Sequence, residues 1–267
     1  MTRQTETVGR APQGNGGDVL IRECTTIEEF DTCVRLQREV FGMPDLELSP
    51  RRHLIVSRLA GGWILGAFSP AGELVGFVHH LVAVRGTDEI IGYSHMMAVS
   101  AAYQNRGLGA RLKWAQRERA MSEGRNFIRW TFEPMQSRNA HFNLNRLGVV
   151  IRSYGVNFYG WDAGTEAFAE GKEFNIDSDR LIAQWELRTP RVEQCARGER
   201  PAHANPPAAI VEIPPDWNRL RREDGLTAQS ELLRVRSEFQ KHFAAGLVCA
   251  GFERDPARPC YLFYSEQ

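Results

Sequence analysis

Residues 96–112 run Met-Met-Ala-Val-Ser-Ala-Ala-Tyr-Gln-Asn-Arg-Gly-Leu-Gly-Ala-Arg-Leu, and few folds accommodate that order. An apolar strand has to feed a tight turn, and the turn has to open a helix. The first amides of a helix find no partner within it, and they lie at the positive end of its dipole. Gly107 and Gly109 let backbone approach a bulky anion, because no Cβ intervenes. The segment holds no carboxylate, and Arg106 adds a cation. Such a turn suits a diphosphate. A Rossmann turn needs a third glycine where Leu112 stands, and a Walker loop needs Gly-Lys-Ser/Thr, which is absent. The remaining alternative is an ordinary glycine turn before a surface helix.

The flanking pattern favours the phosphate turn. Residues 19–22 read as a first strand, and Thr26 with Glu29 has capping-box spacing. The helix that follows carries Phe30, Cys33, Val34, Val40 and Phe41 on one face and ends at Gly42 and Pro44. Residues 62–68, 74–84 and 90–99 read as strands joined by polar turns. A helix spans 108–123, with Leu108, Leu112 and Ala115 on one side and Ala110, Trp114 and Met121 beside them. Its Arg111, Lys113, Arg117 and Arg119 read as a solvated face, or as a contact for a further phosphate. Residues 127–132 form the fifth strand, with Phe127, Trp130 and Phe132 as core. A second helix over 137–147 closes at Gly148, and 149–159 and 181–187 supply two more strands.

Gln104-x-x-Gly107-x-Gly109, preceded by Met97-x-Val99, resembles motif A of the GNAT N-acetyltransferases. The likeness in element order covers about residues 19–189, and its specific part lies at about 95–148. It implies a mixed, mostly antiparallel central sheet flanked by helices, an α/β (α+β) fold, here with a C-terminal βαββ extension. It implies acetyl-CoA as donor and an amine, on a small molecule or a peptide, as acceptor, with direct transfer in a ternary complex. Backbone at Gln104, Asn105, Arg106, Gly107, Leu108, Gly109 and Ala110 would hold the pyrophosphate. The pantetheine arm would pair with Met97, Ala98 and Val99 like an added strand, and an amide near Val99 would meet the oxyanion. The run 137–148 is similar to the family's second cofactor helix, where Ser137 and Asn139 would meet the cofactor. That helix usually has Asn at the place of Ser137 and Tyr at the place of Leu144. The Tyr often protonates the departing thiolate, so Leu144 also keeps open an acyl-CoA-binding protein that transfers nothing.

A base is needed for the attacking amine. Glu133 ends the fifth strand and His95 lies on the fourth, and both are candidates. Tyr154 and Tyr159 are candidate acids only because Leu144 cannot be one. The acceptor segments 43–60 and 160–180 are mixed polar, including Asp45, Glu47, Arg51, Arg52, Asp162 and Glu166. No metal ligand set shows: His79 and His80 point to opposite faces of one strand, and His53, His141, His203 and His242 are scattered.

Lys plus Arg equals Asp plus Glu at 33 each, so no net charge draws the chain toward nucleic acid or an anionic membrane. Five widely spaced cysteines without CxxC argue against a disulfide framework and structural zinc. No apolar run is long enough to span a bilayer, and the expectation is a cytoplasmic protein. The expected organisation is a flexible tail (1–17), an acetyltransferase domain (18–189), a Pro-, Arg- and Ala-rich linker (190–207) and the extension (208–267). In the extension, Leu232, Val235, Phe239 and Phe243 form an apolar stripe that would dock on the main domain or, in a homodimer, on a second subunit.

Overall fold

The structure, a computed structural model, describes residues 19–162 and 176–266. The expected tail and Glu166 lie outside them. The chain divides into two compact units: Met1–Leu81 with His95–Ser122, and Val82–Ser94 with Glu123–Gln267. Its strands make a mixed, mostly antiparallel set flanked by helices, the expected fold class.

In the first unit β1 (Leu20–Glu23) pairs antiparallel with β2 (Trp63–Phe68), and β2 with β3 (Leu74–Arg85). The end of β4 (Glu89–Val99) lies beside β3. Every residue of β2 is buried, as its unbroken apolar run requires. Helix α1 (Ile27–Phe41) opens with the expected capping box. The Glu29 amide donates to Thr26 Oγ1 at 3.3 Å, and the Thr26 amide donates back to Glu29 Oε2 at 3.1 Å. Gly42, at φ 61°, ends it in the left-handed conformation that glycine adopts without strain. Phe30, Cys33 and Leu36 enter a core with Leu54, Ile64, Phe68 and Phe77. Burial of such a side chain contributes about 1.5–3 kcal/mol. Phe41 is exposed, so the apolar face is narrower than its sequence suggests.

Helix α2 (Arg51–Leu59) has no side-chain cap at Pro50 and lies in a segment that reads as polar lining. It forms because Leu54 and Ser57 are buried in this unit. Helix α3 (Leu108–Ser122) carries the main correction to the sequence expectation. Lys113 and Arg117 are buried rather than solvated, together with Gln116. The apolar residues of α3 do not gather on one face, so long aliphatic stems complete the packing. Arg111 and Arg119 are also committed, to the Val19 carbonyl at 2.6 Å and to Glu23 at 2.7 Å.

In the second unit Gly92 and Tyr93 of β4 pair in parallel with Ile128 and Arg129 of β5 (Phe127–Phe132). From β5 the order runs through β9 (Arg180–Glu186), β6 (Val150–Gly155), β11 (Leu247–Glu253) and β12 (Cys260–Ser265) to β10 (Ala209–Glu212), antiparallel throughout. Two short strands, β7 (Trp161–Asp162) and β8 (Ile176–Asp177), pair with each other. Helix α4 (Ser137–His141) runs into a π-helical turn, Phe142–Arg146. The stretch expected as linker begins with a helix, α5 (Pro190–Ala196), because Pro190 occupies its first turn and Val192 and Cys195 are buried. Helix α6 (Trp217–Glu223) precedes α7 (Gly225–Ala244). The α7 stripe packs within this chain, with Phe239 against Tyr154, Tyr261 and Phe263. No helix of the described residues is long and apolar enough to cross a membrane.

Candidate functional site

In the first unit the end of β4 leads through a 3₁₀ turn (Ala101–Tyr103) to the glycine turn and α3. Ser100 donates its amide to the Val75 carbonyl at 2.9 Å, and Gln104 Nε2 donates to the Val99 carbonyl at 2.9 Å. These bonds fix where the turn begins. Asn105 (φ 59°) and Gly107 (φ 77°) then adopt left-handed backbone that reverses the chain. The first helical bond of α3 runs from the Arg111 amide to the Gly107 carbonyl at 3.1 Å. Among the described residues no acceptor meets the amides of Asn105, Arg106, Gly107, Leu108, Gly109 or Ala110. A Cβ built on Gly107 would meet nothing within 4 Å, and one on Gly109 only Met97 Cε at 3.4 Å. The turn therefore offers a row of donors, open space and the exposed Arg106.

His95, also in this unit, belongs to a group that sequence spacing did not show. His53 of α2, His79 of β3 and His95 of β4 each bring one ring nitrogen within 4.8 Å of the others. This corrects the expectation that the histidines are scattered. The three come from different elements, at separations that carry no ligand signature. His79 and His80 do face opposite sides of β3: His80 stacks on Trp63 at 4.0 Å and meets Gln116 at 3.2 Å. His79 is wholly buried, and its Nε2 lies 2.7 Å from Ser57 Oγ. That hydroxyl already donates to the Leu54 carbonyl at 2.9 Å. Ser57 must therefore accept from His79 Nε2–H, which leaves a lone pair on Nδ1. Burial, followed by the nearby His95 and His53, pushes the His79 pKa down to about 3. Burial, then His53, also lowers that of His95.

The other candidates lie in the second unit. Glu133 accepts hydrogen bonds from the Trp217 indole and from Gln136 Nε2. Ser137 is half-buried and Asn139 exposed on α4, while Leu144 is fully buried. Tyr154 donates its hydroxyl to Asp179 at 2.7 Å, and Arg236 bridges Asp177 and Asp179. Burial, then the Asp179 carboxylate, raises the Tyr154 pKa. Tyr159 shares a hydrogen bond of 2.9 Å with Thr131. Tyr93, which the sequence did not single out, lies beside them, its pKa raised to about 12 by burial and then by Tyr159. A cleft of about 610 Å³ lined by Asn145, Arg146, Arg200 and Arg254 also lies in this unit and contains none of the candidate site residues.

Residues 28–148 match the model of the acetyltransferase (GNAT) family. Among solved structures, the chain is similar to a GNAT-assigned acetyltransferase from Desulfovibrio desulfuricans, at 16 % identity, 64 % coverage of this chain, 99 % of that one and a TM-score of 0.51. It is also similar to the ribosomal-protein-S18-alanine N-acetyltransferase from Escherichia coli, at 12 % identity, 64 % and 96 % coverage and a TM-score of 0.51. At such identities the likeness is one of fold. No curated protein sequence matches the chain.

Proposed function

We propose that the chain, whose residues 28–148 match the model of the GNAT acetyltransferase family, moves the acetyl group of acetyl-CoA to an amine. The supporting observation is the row of unmet amides from Asn105 to Ala110 at the start of α3. Diphosphate oxygens accept from such amides, and the helix dipole and Arg106 favour their charge. Met97, Ala98 and Val99 offer strand backbone to the pantetheine arm.

The amine nitrogen attacks the thioester carbonyl, the C–S bond breaks, and coenzyme A leaves as a thiolate. The attacking nitrogen loses one proton to a general base, and Glu133 is our candidate from its place just after β5. Trp217 and Gln136 donate to that carboxylate and hold it in place. Leu144 supplies no acid, so the thiolate takes its proton from solvent. Tyr154 is tied to Asp179 and serves the packing of its unit. The acceptor is an amine of a small molecule or a peptide. The segment expected as a βαββ extension carries two helices between β10 and β11 and lies within the second unit, where β11 pairs with β6.

Acetyl-CoA is expected to raise the melting temperature, since a ligand held only by the folded state stabilises it. Amines from a panel of small molecules and peptide N-termini are then expected to release free thiol. A melting shift without thiol release from any amine would favour the binding protein that Leu144 keeps open.

A further inference from the structure

We propose that His53, His79 and His95 bind one divalent transition-metal ion, zinc above all, with a further coordination position open to solvent. The proposal rests on the geometry of these side chains and is independent of acetyl transfer. His79 Nδ1 is a buried nitrogen with no hydrogen-bond partner. Ser57 takes the proton on Nε2, so Nδ1 carries a lone pair. A buried acceptor left unmet costs about 1–3 kcal/mol, and a cation at that lone pair removes the cost. One nitrogen of His53 and one of His95 already lie within 4.8 Å of a nitrogen of His79.

The surroundings match those of metal-bound imidazoles, whose second nitrogen is normally held by another protein group. His79 has Ser57 in that role, and His95 has Ser49, whose Oγ lies 2.8 Å from Nε2. Ser49 is in turn held by the buried Gln37, which accepts from its amide at 2.8 Å and donates to its carbonyl at 3.1 Å. Three imidazoles without a carboxylate suit zinc, copper, nickel or cobalt and not magnesium or calcium. With Zn–N bonds of about 2.0–2.1 Å in a tetrahedron, ligand nitrogens stand about 3.4 Å apart. The widest pair, within 4.8 Å, therefore has to close by no more than about 1.4 Å. His53 and His95 are exposed and supply that movement, while His79 stays anchored. A three-histidine set leaves the fourth tetrahedral position to water or another ligand. His95 is then a ligand, which leaves the amine's proton to Glu133.

The test uses tag-free, full-length protein stripped by a chelator. Zinc is titrated against a coloured competitor, and cobalt(II) is followed by its visible d–d bands. Wild type is expected to take up one ion and to give the intense bands of a low-coordinate nitrogen site. His53→Ala and His95→Ala are each expected to weaken zinc binding by more than about 100-fold, beyond the 10- to 100-fold of an outer partner. Both side chains are exposed, so the metal-free variants are expected to melt as wild type does. His141→Ala, outside the cluster, is expected to bind as wild type. No uptake and no cobalt spectrum in wild type would overturn the proposal, as would unchanged zinc affinity in both cluster variants. The wild-type spectrum needs no variant, so a misfolded mutant does not leave the question open.

Discussion

Replacement of Gly107 tests whether the glycine turn holds phosphate, provided that strain and charge are separated. Gly107→Ala adds a Cβ that meets nothing within 4 Å, so its cost is the left-handed backbone at φ 77° alone. For an L-residue that is about 1–2 kcal/mol, charged to folding rather than to binding. Acetyl-CoA affinity is expected to stay within about threefold of wild type. Gly107→Glu adds the same strain and a carboxylate. At about 5 Å and an effective dielectric of about 20, that charge repels one phosphate charge by about 3 kcal/mol. Gly107 is exposed, so solvent and salt reduce this to about 1.5 kcal/mol for each of two phosphates. The total of about 3 kcal/mol corresponds to about 150-fold in affinity. Calorimetric titration of both variants with acetyl-CoA at low and high salt measures it, and the Glu deficit is expected to shrink with salt. Equal affinities for the two variants would refute a diphosphate at this turn.

Glu133→Gln is expected to lower the rate of thiol release by about 10²-fold or more while acetyl-CoA affinity is kept, and a wild-type rate would clear Glu133 of the base role. Thr26→Ala removes the N-cap of α1 and is expected to cost about 1 kcal/mol in denaturant unfolding; a change below about 0.3 kcal/mol would contradict the capping box. Burial lowers the Lys113 pKa from the usual 10.5 to about 7. The unfolded chain then binds the extra proton between those values. Wild-type stability is therefore expected to rise with pH relative to Lys113→Met, with the cost of the buried charge complete below pH 7. The slope is at most about 1.4 kcal/mol per pH unit, so the gap changes by about 2–3 kcal/mol between about pH 7.5 and 9.5. Parallel stability curves would show that Lys113 stays charged in the folded state.

Much of the framework is written locally. The cap at Thr26, the stop at Gly42, the β3–β4 hairpin and the turn into α3 depend on residues a few positions apart. Short-range sterics and hydrogen bonds decide them, so they are legible before any fold is known. The glycine turn belongs to this class, because a strand, two glycines and a helix start are contiguous. Helix α2 was not legible, since no side chain caps it and its order comes from the burial of Leu54 and Ser57. The start of the expected linker likewise becomes α5 once Val192 and Cys195 find a core. The burial of Lys113 and Arg117 reverses what their charge suggests, because the protein around α3 and not the residue type sets their exposure. His53, His79 and His95 lie 26 and 16 positions apart, and no local rule joins them. They meet only because packing brings α2, β3 and β4 together, and the direction of the His79 lone pair depends on which atom Ser57 already serves. Local chemistry thus set the caps, the stops and the glycine turn, whereas helices such as α2 and α5, side-chain convergence and protonation required the folded neighbours that determine distance and solvent access.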